Sequence, residues 1–174
     1  MKEILWKIAA KLLSQPAIAR RIIARAQRTP YMHLPGYMNR WWLFNPYQKA
    51  DGEIIGRRGL RAWLPSIRVH EILRADTAEH MHDHPWDART IILDGGYFEL
   101  VEEYDARTGA GLELRLQGET RAIRYGEYHH ITRVLGRSCF TLFFTWKYVG
   151  TWGFKVDGHK VQWREYLAEH PEHE

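Results

Sequence analysis

The sequence predicts a mainly β chain: an antiparallel sandwich or barrel preceded by two amphipathic α-helices. Three observations carry this prediction. From residue 66 onward the chain is a succession of short extended stretches and turns, with no helical period between them. Near its end, Asp157–Gly158 joins "WGFKV" to "HKVQW", and Asp-Gly suits the positive φ angles of a type I′ hairpin. Ahead of residue 29, by contrast, apolar residues recur at helical spacing.

Residues 2–13 place Ile4, Leu5, Ile8 and Leu12 at helical intervals, with Lys2, Lys7 and Lys11 between them. Ser14 and an early Pro16 mark a second helix start. Ile18, Ile22 and Ile23 line one side of that helix, and Arg20, Arg21, Arg25 and Arg28 occupy the rest. Together, residues 1–29 form a basic helical arm. Residues 30–65 are rich in Pro, Gly and aromatics ("YMHLPGYMNRWWLFNPYQ") and show no clear period. They read as an ordered, irregular connector packed by its rings. Residues 66–174 make the β body, and the three segments are expected to form a single globular domain.

Within that body "SIRVHEILRA" is the first extended stretch. "ARTIIL" and "YFELVEEY" read as two strands about a glycine-rich bend at Asp94–Gly96. A turn at "DARTGAG" precedes "LELRLQ", and "RAIRY" and "YHHITRV" flank a turn at Gly126–Glu127. A further turn, "GRS" at 136–138, leads into "CFTLFFTWKYV".

The 174 residues, 45% hydrophobic and 13% aromatic, suffice for a folded globule with a real core. The net charge of +4 is uneven, because residues 1–28 hold seven Lys or Arg against one Glu and the remainder is net negative. Such an arm suits contact with nucleic acid or an anionic membrane. Packing on the body with its cations in water is the favoured expectation. The single cysteine, Cys139 in "SCFTLFF", excludes an internal disulfide framework and suits a buried, inert thiol in a reducing cytoplasm. "MKEILWKIAAKLL" is broken by charge and lacks the apolar core of a secretory signal. No stretch approaches the ~20 apolar residues of a spanning helix. Phosphate-loop, G-x-S-x-G and paired-cysteine zinc patterns are all missing.

The strongest chemical signal is "HMHDHPW", with His80, His82 and His84 at every second position. On an extended chain the three share a face, away from Met81 and Asp83. His80 and His84 are then about 13 Å apart at Cα, whereas neighbouring pairs are about 6.6 Å apart. One ion with ~2.1 Å bonds to nitrogen takes 80/82 or 82/84, hardly all three. Further ligands must come from elsewhere. "YHHITR" offers His129 or His130, which face opposite sides of a strand. His33, His70 and His159 read as surface or locally bonded, and Trp86 as either a pocket wall or a core ring.

Two spacings resemble the signatures of the cupins. Gly118, Arg124, Gly126, His129 and Arg133 keep the intervals of G-x5-P-x-G-x2-H-x3-N, with arginine in place of proline and asparagine. His82-x-His84, then Ala88 and Gly95, keep those of G-x5-H-x-H-x3-E-x6-G, with Asp76 at the first glycine and Ala88 at the glutamate. The resemblance covers about residues 66–150. It implies an antiparallel jelly-roll barrel, and a homodimer as the default assembly. With no glutamate at 88, the set it implies is His82, His84 and His129, similar to three-histidine cupins of the thiol dioxygenase kind. A second arrangement pairs His80 and His82 with Asp87.

Three neutral imidazoles would leave a divalent ion its full charge and open positions, which suits an anionic, chelating substrate. The resemblance implies Fe(II) first, and Ni, Zn, Mn or Cu suit the same donors. Arg133, Arg124 and Arg89 are candidates to hold a carboxylate. Arg133 leads, because it lies four residues beyond His129 and would share its face. The expected function is therefore a metal-dependent oxygenase acting on a small anionic molecule. The alternatives are a metal-free epimerase or isomerase with histidine as base, and a non-enzymatic module attached through its basic helices.

Overall fold

The computed structural model describes residues 2–50, 53–56, 63–102 and 110–171. Two helices, α1 (Lys2–Leu13) and α2 (Pro16–Ala26), open the chain, and Pro16 occupies the first turn of α2, where its missing N–H costs nothing. Among the described residues ten strands follow: β1 (Met38–Phe44), β2 (Gln48–Ala50), β3 (Glu53–Gly56), β4 (Ser66–Ile72), β5 (Trp86–Glu102), β6 (Ala110–Leu116), β7 (Thr120–Ile123), β8 (His129–Tyr148), β9 (Gly153–Val156) and β10 (His159–Gln162). A short helix, α3 (Trp163–Glu169), closes the described chain. No helix among the described residues is long and apolar enough to cross a membrane.

The main sheet runs β1-β4-β8-β5-β6, with β7 also on β5, and every pairing is antiparallel. Its organising feature is the pair of long strands. The second half of β5 pairs with the start of β8 (Val101 with His129, Gly96 with Leu135). The first half of β5 pairs with the end of β8 (Asp94 with Phe140, Trp86 with Tyr148). Irregularities on either side of Asp94 let both strands bend between those halves. Gly95 sits at that bend with φ +76°, and a Cβ there would lie 2.6 Å from the Ser138 carbonyl oxygen.

The sequence placed breaks at Asp94–Gly96 and at 136–138; the structure carries β5 and β8 straight through both. The glycines bend the strands without ending them, because the partner strand bends alongside and keeps the ladder. The segment read as irregular contains β1, which pairs with β4, and the short β2–β3 pair. The expected turn at "DARTGAG" lies mostly outside the described residues. At the Asp157–Gly158 hairpin both residues take positive φ, 48° and 81°, as the type I′ reading requires.

One face of β4, β8 and β5 packs under the N-terminal helices. Val69, Ile91, Leu93, Leu142 and Phe144 form a core there with Ala10, Ala19, Ala26 and Trp41. Trp6 meets Phe144 edge-on at 5.2 Å and Trp146 at 6.3 Å. Small alanines let the helices approach, and Trp6 supplies the bulk. The stripe that signalled α1 in the sequence is consequently the outward one. Ile4, Leu5, Ile8 and Leu12 are 52–63% exposed. On the opposite sheet face Ile72, Ile92, Tyr97, Ile131 and Cys139 form a second core. Burial there pushes the Cys139 thiol up to about 12, so it stays protonated and inert.

Candidate metal centre

His82 and His84 lie on the extended connection between β4 and β5, and His129 begins β8. His82 and His129 exchange both backbone hydrogen bonds, at 3.0 and 2.9 Å, which sets their side chains next to each other. Asp83, fully buried between the two histidines, faces the other way. It accepts bonds from the Gly153 N–H at 2.8 Å and the Lys160 ammonium at 2.6 Å. That anchor ties the histidine stretch to the β9–β10 hairpin.

The rings of His82 and His129 are 4.6 Å apart, and that of His84 is 5.0 Å from His129. One ligand nitrogen from each of the three lies within 4.8 Å of the others. The Nε2 atoms of His84 and His129 are 2.9 Å apart, within hydrogen-bond distance. Two nitrogens bound to one ion at ~2.1 Å sit roughly 3–3.4 Å from each other. The His84–His129 pair already has about that spacing, and the widest pair of the set, within 4.8 Å, would close by at most about 1.4 Å.

Carboxylates behind the rings fix their direction. The His129 Nδ1–H donates to Glu99 at 2.8 Å, so Nε2 turns its lone pair to the cluster. Glu99 is 1% exposed and also accepts from Arg121 at 2.9 Å and Arg115 at 3.0 Å. Burial works against its charge, but His129 and the two guanidiniums win and hold the carboxyl at about 2. Asp76 lies 3.7 Å from Nδ1 of His82 and takes bonds from the Tyr37 hydroxyl and the Ile131 N–H. Burial holds His82 at about 4 against the pull of Asp76, and burial with neighbouring imidazoles holds His84 well below its usual value. Both stay neutral, as ligation requires.

The structure thus brings His82, His84 and His129 together and leaves the other candidates outside. The Nδ1 of His80 is 3.0 Å from the Tyr166 hydroxyl on α3. Asp87 is exposed and accepts from the Tyr125 N–H at 3.0 Å. Arg133 does not join the histidines: it is exposed, with its guanidinium 4.5 Å from the Phe98 ring. The register explains this. Glu99 pairs with Ile131 but Phe98 with Arg133, so the extra residue, Thr132, inverts the alternation expected from His129. Arg124 is exposed, and Arg89 is buried on the outer face, paired with Glu3 and 4.9 Å from the Trp6 ring. His70, read as unremarkable, is buried and stacks on Phe143 at 5.0 Å.

Glu99, Arg115, Arg121 and Asp76 were not singled out for the site from the sequence. A signal for Glu99 was there: in "YFELV" it alternates with Tyr97 and Val101, placing a charge on an inward face.

No family model matches the chain, and no curated protein matches its sequence. Solved structures match its shape. Procruciferin, an 11S globulin from Brassica napus, superposes over 74% of this chain and 30% of its own, at 12% identity and a TM-score of 0.51. Hydroxypropylphosphonic acid epoxidase from S. wedmorenis matches over 70% of this chain and 56% of its own, at 14% identity and a TM-score of 0.49. The chain spans about half, or less, of the length of these proteins. At such identities the likeness speaks to architecture alone. What it shows is a cupin-type jelly-roll fold with helices added at its N-terminus.

Proposed function

We propose that His82, His84 and His129 hold one divalent metal ion, Fe(II) foremost, in an enzyme that oxidises a small anionic, chelating molecule with dioxygen. The observation that carries this reading is the convergence of one nitrogen from each of the three imidazoles within 4.8 Å. Bound Fe(II) would supply the activation of dioxygen, chemistry that no side chain provides. Ni, Zn, Mn and Cu suit the same donors, so metal analysis must accompany any assay.

The chain's own residues do the rest. Glu99 orients His129 and, by accepting at Nδ1, favours the tautomer whose Nε2 lone pair faces the cluster. Three neutral ligands would leave a bound ion's charge uncompensated, which favours an anionic substrate beside it. Phe143 lies 5.5 Å from the His84 ring, and Trp152 and Phe154 lie 6.2 and 6.3 Å from that of His82. These rings exclude water from one side of the cluster.

A second reading draws on the buried Glu99–His129 pair, which has the form of a positioned general base for a metal-free isomerase or epimerase acting on a sugar-like ligand. Chelation separates the two. On the first reading Fe(II)-loaded protein consumes dioxygen with short carboxylates bearing a second donor, loses this on chelation and regains it on reloading. Isomerisation of a sugar-like ligand that survives full chelation supports the second reading and overturns the first.

A further inference from the structure

The sheet face that looks toward the histidines is unusually polar. On β4, Ser66, Arg68 and His70 are all buried, as are Thr90 of β5 and Thr141 of β8. Arg68 pairs with Phe143 of β8, and Phe143 with Thr90 of β5, so these three share one face. The alternate residues Val69, Leu142 and Ile91 pack under the helices. Arg68 therefore points inward.

Its surroundings do not account for its charge. Arg68 is 3% exposed, and its Nη1 donates to the Tyr47 hydroxyl at 2.8 Å. Its Nε and Nη2 have no hydrogen-bond partner among the described residues, and no carboxylate of those residues pairs with it. The guanidinium carbon lies 5.0 Å from the Trp86 ring, 5.2 Å from Phe143, 5.4 Å from Tyr47 and 5.5 Å from Trp42. Ring faces attract a cation but offer no acceptor to its N–H edge. The indole N–H of Trp86, in the same cage, is buried and also lacks a partner among the described residues. A guanidinium cannot shed its proton, so a buried one without an anion is a costly arrangement.

The unused edge has a definite shape. Nε–H and Nη2–H point the same way, side by side, and match the two oxygens of a carboxylate. Phe143 carries the link to the histidines, since the Arg68 guanidinium carbon is 5.2 Å and the His84 ring 5.5 Å from its centroid. We infer that Arg68 receives the carboxylate of a short ligand whose other end reaches His82, His84 and His129. The ligand class is then a small carboxylic acid with a second donor group a few bonds away. The inference rests on reading the three histidines as a ligand-binding centre, but the carboxylate site can be tested without a metal.

Acetate, succinate and methylphosphonate are the probes, read by tryptophan fluorescence with Arg68→Met and Arg68→Lys beside wild type. Metal-free wild type binds acetate; Arg68→Met binds it at least tenfold more weakly, as loss of a charge-assisted pair of bonds requires. Arg68→Lys, which keeps the charge and loses the fork, falls between. In metal-loaded protein, succinate binds more tightly than acetate in wild type, and the gain disappears in Arg68→Met with metal content unchanged. Removing an unpaired charge leaves the melting temperature of Arg68→Met equal or higher. No acetate binding to metal-free wild type overturns the inference, as does undiminished binding by folded Arg68→Met or Arg68→Lys. Methylphosphonate binding ahead of acetate overturns the carboxylate assignment. A wild type that binds acetate at Arg68 but takes up no metal leaves this site standing and removes the metal reading alone.

Discussion

Glu99 is the residue on which the direction of His129 depends. Its carboxylate accepts the Nδ1–H, and two guanidiniums keep it charged in a buried place. Glu99→Gln retains the shape and weakens the acceptor. The substitution is expected to lower metal affinity 10- to 100-fold, measured by competition with a chromophoric chelator, while circular dichroism stays native. Unchanged affinity would mean that Glu99 serves Arg115 and Arg121 only. At this scale the sequence was most legible where spacing and the cupin resemblance pointed to the same residues. His82 and His84, two apart, and His129 at its motif distance are the residues that meet. Arg133 departs from its expected face for a geometric reason: one extra residue at Thr132 turns it to the other side, and no periodicity announces a bulge. Arg68 was visible in principle, since in "SIRVH" it alternates with Val69, but an arginine on a strand reads as solvent-facing until burial is known.

Among the elements, β5 and β8 decide the fold, because each is long enough to run through both halves of the rolled sheet. Positive-φ glycines at 95 and 126 bend one strand and turn the chain into the other. The sequence read Gly126 as a turn, but not that Gly95 bends its strand without ending it. A glycine that ends a strand and one that bends it look alike until the partner strand is known. Hence β5 and β8 each read as two pieces. The strand β1 was hidden for another reason: "MNRWWLF" carries rings on both faces, so no alternation shows. Helix α1 was found by its apolar stripe although that stripe faces outward. Its buried side, Trp6, Ala10 and Leu13, is what ties it to the core. The hairpin at Asp157–Gly158 needed only local turn chemistry, and it was read correctly.

Across the whole molecule, the cost of burying histidines makes stability depend on pH. Burial holds His70 and His84 well below their usual values and His82 at about 4. The unfolded chain takes up protons near 6.5, which the folded chain refuses until the pH is far lower. Folding is thus unpenalised above that value and loses stability as pH falls toward 4, on the order of 3 kcal/mol from His82 alone. Glu99, held at about 2, keeps its contribution down to about pH 4.5 and loses it from there toward 2. Urea unfolding of metal-free protein should give a flat midpoint above pH 7 and a steadily falling one from 6.5 to 4; a midpoint unchanged across that range would contradict these burials. The central claim is that a rolled antiparallel sheet brings His129 beside His82 and His84, distant from it in sequence, to hold one ion. Metal content after purification without nickel or chelator tests it most directly, in wild type beside His80→Ala, His82→Ala, His84→Ala and His129→Ala. The expected result is about one equivalent in wild type and His80→Ala and a nearly empty site in the other three. Full occupancy in His129→Ala, or loss in His80→Ala to match the rest, would contradict it.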